Sequence, residues 1–387
     1  MPRHFIGKHR AAPRLRLAWV EEWMSTLAKE MLPYLAERHE ITYVTAGEEI
    51  PDADFVRVIR EKRRRHMNVA GFALSSDVNR LYRDGLVDLA LVWSSVGFAL
   101  RGVPFINLAG GSVFAEIRLA AARMPLYRRA RFLTGLVHFA LPETLCNKRA
   151  ARVIVPSSAL KNDLMRLHGL ADPKVSVVPH GTEPEHMALY DRKPAGPAPK
   201  ILFVGRLHPG KGIAAVVDEF SRRRDIDAEF LILGDGPDRD RMQKATAEDD
   251  RVKLLGHVGK SDLKWALSTT DIFAFPSFYE GFGLSLLEAM ASGHACVCYD
   301  IPATREVLGD GGILVRPGDA AALVDEIARL VKTPDRVSFY SARAHQRAGR
   351  FSWDHARRAI DRVIGETAAE ILARQPMAPT KTVSLYR

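Results

Sequence analysis

Pro276-Ser277-Phe278-Tyr279-Glu280-Gly281-Phe282-Gly283-Leu284-Ser285-Leu286-Leu287-Glu288-Ala289-Met290-Ala291 follows a short apolar run, Ile272 to Phe275, and reads as strand, glycine-bearing loop and helix. Gly281 and Gly283 let a ligand approach the backbone amides at the helix N-terminus, which carries partial positive charge. Glu280 stands on the loop just ahead of the helix, and Glu288 lies roughly 7 Å along it at 1.5 Å per residue. One carboxylate then faces the loop's ligand while the other lies deeper. Carboxylates accept hydrogen bonds from vicinal hydroxyls, so the spacing suits a nucleotide sugar: sugar hydroxyls at Glu280, diphosphate at the amides, ribose diol at Glu288.

A second turn of the same kind comes earlier, Val204-Gly205-Arg206-Leu207-His208-Pro209-Gly210-Lys211-Gly212, between a strand and a helix starting at Ile213. Its amides suit phosphate, and Arg206 and Lys211 add a fork-shaped and a point charge. No Ser or Thr follows the lysine, so this is not a P-loop, and no G-x-G-x-x-G accompanies it. A basic surface turn is the plainer alternative.

Outward from these two turns, short apolar runs alternate with amphipathic helical segments, the pattern of parallel α/β architecture. Strands are expected at Leu15 to Val20, Ile41 to Thr45, Leu89 to Trp93, Pro104 to Leu108 and Val153 to Pro156. A second set is expected at Lys200 to Val204, Phe230 to Leu233, Val252 to Leu255, Ile272 to Phe275, Ala295 to Tyr299 and Gly312 to Val315. Helices are expected at Met24 to Arg38, at Ser157 to His168 with a serine cap, and at Trp353 to Arg374. Three prolines and a glycine in Asp191 to Lys200 mark a linker. The expected division is residues 1–190, a linker 191–199, a second domain 200–375 and a polar tail 376–387.

The chain has 387 residues, with the apolar and charged fractions of a folded globular protein, 47% and 26%. Its net charge of +10 calls for an anion: nucleic acid, acidic membrane or anionic substrate, unless it is a solvated arginine-rich surface. Before Pro197 the balance is +9, and from Pro197 on it is +1. An odd set of cysteines, Cys146, Cys296 and Cys298, fits a reducing compartment and predicts a cytoplasmic protein. Cys296 and Cys298 alternate on one strand face, where buried packing is favoured over zinc. The N-terminal residues lack the apolar core of a signal peptide, and Leu86 to Leu100 is too short and polar to cross a bilayer.

Ile117 to Pro142 has no acidic residue, and Arg118, Arg123, Arg128, Arg129 and Arg131 interleave with apolar side chains. Pro125 would open a helix running to about Ala140, with arginines opposing the macrodipole in its first turn. Such a segment suits acidic lipid or the phosphate of a lipid-linked acceptor, and a core helix with a solvated arginine edge is the alternative.

Residues from Lys200 to about Trp353 resemble the retaining glycosyltransferases of family 4. The resemblance rests on Gly205-Arg206-Leu207 with Lys211-Gly212, Leu233-Gly234-Asp235-Gly236-Pro237, Gly256-His257-Val258, Pro276-Ser277, the Glu280/Glu288 pair, Glu306 and Pro317-Gly318-Asp319. Ala151 to His186 matches more weakly, with His180 in Pro179-His180-Gly181 where the family has asparagine. The resemblance implies a GT-B fold: two facing Rossmann-like domains with a donor/acceptor cleft between them, the last helix packing back on the N-terminal domain. It implies that Arg206 and Lys211 hold the donor diphosphate and stabilise it as it leaves, that Glu280 meets the transferred sugar and that Glu288 binds the ribose. The backbone of Phe282, Gly283 and Leu284 would meet sugar and phosphate, and Gly256 and Val258 would border the base. The expected catalytic residues are therefore Glu280, Arg206 and Lys211, with no cofactor and no metal.

Two departures stand in the N-terminal half. The family's Gly-Gly loop after the first strand is missing, since Leu17-Ala18-Trp19-Val20 runs into Glu21-Glu22-Trp23-Met24. The family's usual histidine is replaced by Asn107-Leu108-Ala109-Gly110-Gly111-Ser112. Asn107 and Ser112 are acceptor-side candidates there, beside a plain turn as the alternative, and Arg128, Arg129 and Arg131 are acceptor or membrane candidates.

The expected function is metal-independent, retaining transfer of a sugar from a nucleotide-diphosphate donor, UDP-sugar first and GDP-mannose second. The acceptor would be a hydroxyl of a glycan or lipid-linked acceptor, as in polysaccharide or lipid-linked glycan biosynthesis. An acidic membrane surface at the inner face of the membrane is a further expected partner. A nucleotide-sugar epimerase of the same fold is the alternative. Nucleic acid is disfavoured because no zinc spacing, helix-turn-helix or RNP-type motif accompanies the charge.

Overall fold

The structure is a computed structural model that describes residues 14–51, 56–60, 67–122, 136–192 and 199–374. The described residues fall into two compact units, one within Met1–Leu108, Cys146–Val153 and Arg357–Arg387, the other within Ala109–Leu145 and Ile154–Ala356. The linker at 193–198 and the tail from 375 on lie outside the described residues.

Strands β1 (Arg16–Glu21), β2 (Glu40–Thr45), β3 (Val56–Arg60), β4 (Leu89–Trp93), β5 (Phe105–Leu108), β6 (Arg152–Val155) and β7 (Val175–Val177) form a seven-stranded sheet in the order β3-β2-β1-β4-β5-β6-β7. In the first unit the pairs among β1 to β5 are parallel, with Leu17 in register with both Ile41 and Leu89. Trp19, Tyr43, Met31, Leu32 and Leu35 are fully enclosed there. Sequence reading missed β3 and β7. Both are edge strands, β3 with a single buried side chain and two arginines among its five residues and β7 only three residues long, so neither carries a continuous apolar run. Ser25 caps the helix Thr26–Ala36, whose Ala28 amide donates to the serine hydroxyl at 3.1 Å. That helix starts two residues inside the expected Met24 to Arg38.

The second unit holds a six-stranded sheet of β8 (Ile201–Val204), β9 (Phe230–Leu233), β10 (Val252–Gly256), β11 (Ile272–Phe275), β12 (Ala295–Tyr299) and β13 (Gly312–Val315), in the order β10-β9-β8-β11-β12-β13. Every pair is parallel. Strand side chains alternate between two cores. Ile201, Phe203, Phe230, Ile232, Ile272, Ala274, Val297 and Tyr299 face one side with the apolar stripe of helix Ile213–Arg222. Leu202, Leu231, Leu233, Phe273, Phe275, Cys296 and Cys298 face the other with helix Leu284–Ala291. Both cysteines are thus buried packing residues on one strand face, as the alternation predicts.

Strand order reverses between β8 and β11, so the loops leaving their C-terminal ends diverge to opposite faces and leave a crevice, where ligands of open α/β sheets bind. The two turns singled out in the sequence are those two loops.

Candidate functional site

β8 ends at Val204, and the turn that follows is held by its neighbours: Gly205 N–H donates to the Leu233 carbonyl at 3.0 Å and Leu207 N–H to that of Asp235 at 2.9 Å. His208 Nδ1 accepts from Gly210 N–H at 3.1 Å and closes a short turn at Pro209–Lys211. Gly212 follows with φ 67°, and a Cβ there would collide with the Pro276 carbonyl, so the turn approaches the loop after β11 more closely than any other residue allows. Phe278 N–H donates to the Gly210 carbonyl at 2.9 Å, which ties the two loops together.

Across that tie, Lys211 Nζ lies 2.6 Å from Glu280 Oε1, with both side chains largely buried. Arg206 is exposed and has no side-chain partner among the described residues. Gly283, at φ 101°, turns the loop into helix Leu284–Ala291. The backbone N–H groups of Phe282, Gly283 and Leu284 have no acceptor among the described residues. Two cations, one carboxylate and three uncommitted amides at a positive helix end form an anion-binding arrangement.

Glu288 sits in the same helix, its carboxyl pushed up to about 7, first by burial and next by the charge of Glu183, with Lys260 opposing. Gly256, at φ 74°, ends β10 with its carbonyl accepting from Gly234 N–H at 2.7 Å, and Val258 packs partly buried against the second core. His180 is buried beside Phe282 and Trp353, with ring centroids 5.3 and 5.4 Å away, and burial pushes its imidazole down to about 4, so it is neutral.

Residues 109–112 belong to this unit and reach the loop after β11. Ser112 N–H donates to the Tyr279 hydroxyl at 3.2 Å, and a Cβ on Gly281 would run into the Gly110 carbonyl. Ser112 Oγ accepts from Ala115 N–H at 3.2 Å and so caps the helix Val113–Ala122. Asn107 does not fit the acceptor-side role expected for it. It is enclosed in β5, and its amide donates to Asn147 Oδ1 at 2.7 Å. Where the family has its Gly-Gly loop, β1 instead ends on buried Glu21, which accepts from the Tyr43 hydroxyl at 2.9 Å and from Ser25 N–H at 3.3 Å. Arg128, Arg129 and Arg131 lie outside the described residues. The helix expected to run to about Ala140 lies mostly outside the described residues; a π-helical turn at Leu136–Ala140 is followed directly by helix Leu141–Arg149. Sequence reading also gave no role to Tyr279, whose position follows from a contact with a segment 167 residues away.

Parallel sheets, a reversal of strand order and a phosphate-suited crevice define a doubly wound α/β protein, and comparison with known proteins gives its class. A family model described as Glycosyltransferase Family 4 matches residues 24–186, and one described as Glycosyl transferases group 1 matches residues 198–333. A phosphatidyl-myo-inositol mannosyltransferase of Mycobacterium leprae is 33% identical over 44% of this chain and 46% of its own. Sucrose-phosphate synthase from Thermosynechococcus elongatus superposes with a TM-score of 0.73 at 18% identity, covering 92% of this chain and all of the other (100%). Alr3699/HepE from Anabaena, solved in complex with UDP-glucose, superposes with a TM-score of 0.68 at 16% identity, covering 91% and 100%. This chain belongs to the family 4 glycosyltransferases and has their GT-B fold. It spans about half the length of the curated relatives it matches.

Proposed function

We propose that the protein is a retaining hexosyltransferase that moves a sugar from a nucleoside-diphosphate donor to a hydroxyl of a glycan or lipid-linked acceptor, without a metal ion. The observation that carries the reading is the Lys211–Glu280 pair beside the uncommitted amides of Phe282, Gly283 and Leu284. With donor bound, Arg206 and Lys211 neutralise the diphosphate as negative charge grows on it, the task that a metal performs elsewhere. Glu280 orients the transferred sugar through its hydroxyls, and Glu288 takes the ribose diol. The acceptor oxygen bonds to the anomeric carbon on the face from which the diphosphate leaves. The carbon–phosphate oxygen bond breaks with its electron pair on the diphosphate, which takes the acceptor's proton.

The Anabaena structure binds UDP-glucose and the mycobacterial relative is named a mannosyltransferase, which supports UDP-sugars and GDP-mannose as the donors to try. The mycobacterial relative is named for phosphatidyl-myo-inositol, which supports a lipid-linked acceptor. Among the described residues no helix is long and apolar enough to cross a membrane.

A panel of nucleotide sugars screened by thermal shift identifies the donor, since bound ligand raises the melting temperature. Acceptor-dependent release of nucleoside diphosphate is then expected. Conversion of the nucleotide sugar to its C2 epimer, with no acceptor and no net release of nucleoside diphosphate, would instead establish the epimerase.

A further inference from the structure

Ser157 holds no role in the site described so far, yet it is fully buried against its most demanding loop. Its Oγ accepts from Leu160 N–H at 3.0 Å, capping helix Ser158–His168, and donates its one proton to the Gly281 carbonyl at 2.6 Å. The two remaining amides at that helix end, of Ser158 and Ala159, donate to the two oxygens of Glu306 at 2.8 and 3.0 Å. With Glu306 serving those amides, the serine oxygen accepts from Leu160 N–H alone, and its one proton goes to the Gly281 carbonyl.

A trans peptide holds its C=O and N–H on opposite sides of one plane, and no peptide bond among the described residues is cis. Pinning the Gly281 oxygen therefore fixes the direction of the Phe282 N–H, which has no acceptor among the described residues. A free loop would spread that N–H over many directions and would order it only on binding, at a cost in affinity. We propose that Ser157 is a positioning residue: through Gly281 it presents the Phe282 amide to the diphosphate of the donor. This rests on the donor reading above.

The test compares binding of UDP and GDP with that of uridine and guanosine to the full chain by calorimetry. Ser157→Ala is expected to weaken binding of the preferred diphosphate about tenfold and that of its nucleoside less than about twofold. Ser157→Gly, tolerated at helix N-caps, is expected to behave alike and serves if the alanine variant does not fold. Ser157→Thr, which keeps both hydrogen bonds, is expected to restore the diphosphate affinity. Glu306→Ala removes caps from the same helix but spares the serine, so it is expected to lower the melting temperature and leave diphosphate affinity within about twofold. Unchanged diphosphate affinity in a folded Ser157→Ala or Ser157→Gly variant overturns the proposal, as does an equal loss for diphosphate and nucleoside. Absence of diphosphate binding in the unmutated protein overturns the donor reading itself, and with it this role.

Discussion

The elevated Glu288 carboxyl makes a prediction in two directions. An ordinary glutamate stands at 4.5, and this one is pushed up to about 7 by burial first. Between those values the folded protein holds a proton that the unfolded chain has lost, so stability falls as pH rises through this window, by up to about 3 kcal/mol. Glu288→Gln is therefore expected to raise the urea midpoint at pH 8 and leave it unchanged at pH 4.5; a shift of equal size at both pH values would deny the cause. If the ionised carboxylate accepts from the ribose diol, donor affinity of the unmutated protein declines as pH falls below about 7, which calorimetry at pH 6 and 8 reads directly. Lys211 acts on both charge and chemistry. Lys211→Ala leaves the Glu280 carboxylate largely buried without its partner at 2.6 Å and removes a cation from the departing diphosphate. A loss of at least about a hundredfold in kcat/KM is expected, with the fold retained by circular dichroism. Normal kinetics in that variant would overturn the assignment.

At the scale of elements, function depends on loops held by neighbours distant in sequence. The loop after β11 is bonded to the turn after β8 through Phe278, to residue 112 through Tyr279 and to the start of helix Ser158–His168 through Gly281. Gly281→Ala would drive a methyl group into the Gly110 carbonyl, with backbone on both sides and no flexible side chain to yield. It is expected to cost about 1–3 kcal/mol in denaturant unfolding and to lower kcat/KM together. The strand, loop and helix sequence of 272–291 was readable because its apolar run, glycines and helical spacing are local signals. The contacts that aim the loop were not: Ser112 and Ser157 stand out as a turn candidate and a helix cap, but their reach to Tyr279 and Gly281 exists only once the sheet brings these segments together. Asn107 illustrates the reverse case: its position in the chain resembled an acceptor site, and its enclosure in β5 opposite Asn147 is a tertiary fact.

For the whole molecule, the charge distribution separates two kinds of anion. Only +1 of the +10 lies in the stretch from Pro197 on, which carries the donor motifs, so donor binding rests on a few placed charges and is expected to weaken only modestly with salt. The +9 before Pro197 fits an acidic membrane or a phosphorylated acceptor, and flotation with anionic vesicles at low salt is expected to capture the protein. Unchanged capture after neutralising Arg128, Arg129 and Arg131 would exclude that segment as the contact. On the proposed reading, in which Arg206 and Lys211 supply the countercharge, turnover is expected to survive EDTA; a loss restored by added divalent ion would reject that mechanism.

Fold class, most strands, the cysteine-bearing strand and the two phosphate-suited turns follow from the sequence by itself, because hydrophobic period and glycine placement act over a few residues. The edge strands β3 and β7, the pairing of Lys211 with Glu280, the burial that raises Glu288 and the reach of Ser157 to Gly281 were decided by tertiary structure alone. Each depends on desolvation or on a hydrogen bond between segments far apart in the chain, and neither exists until the parallel sheet has closed.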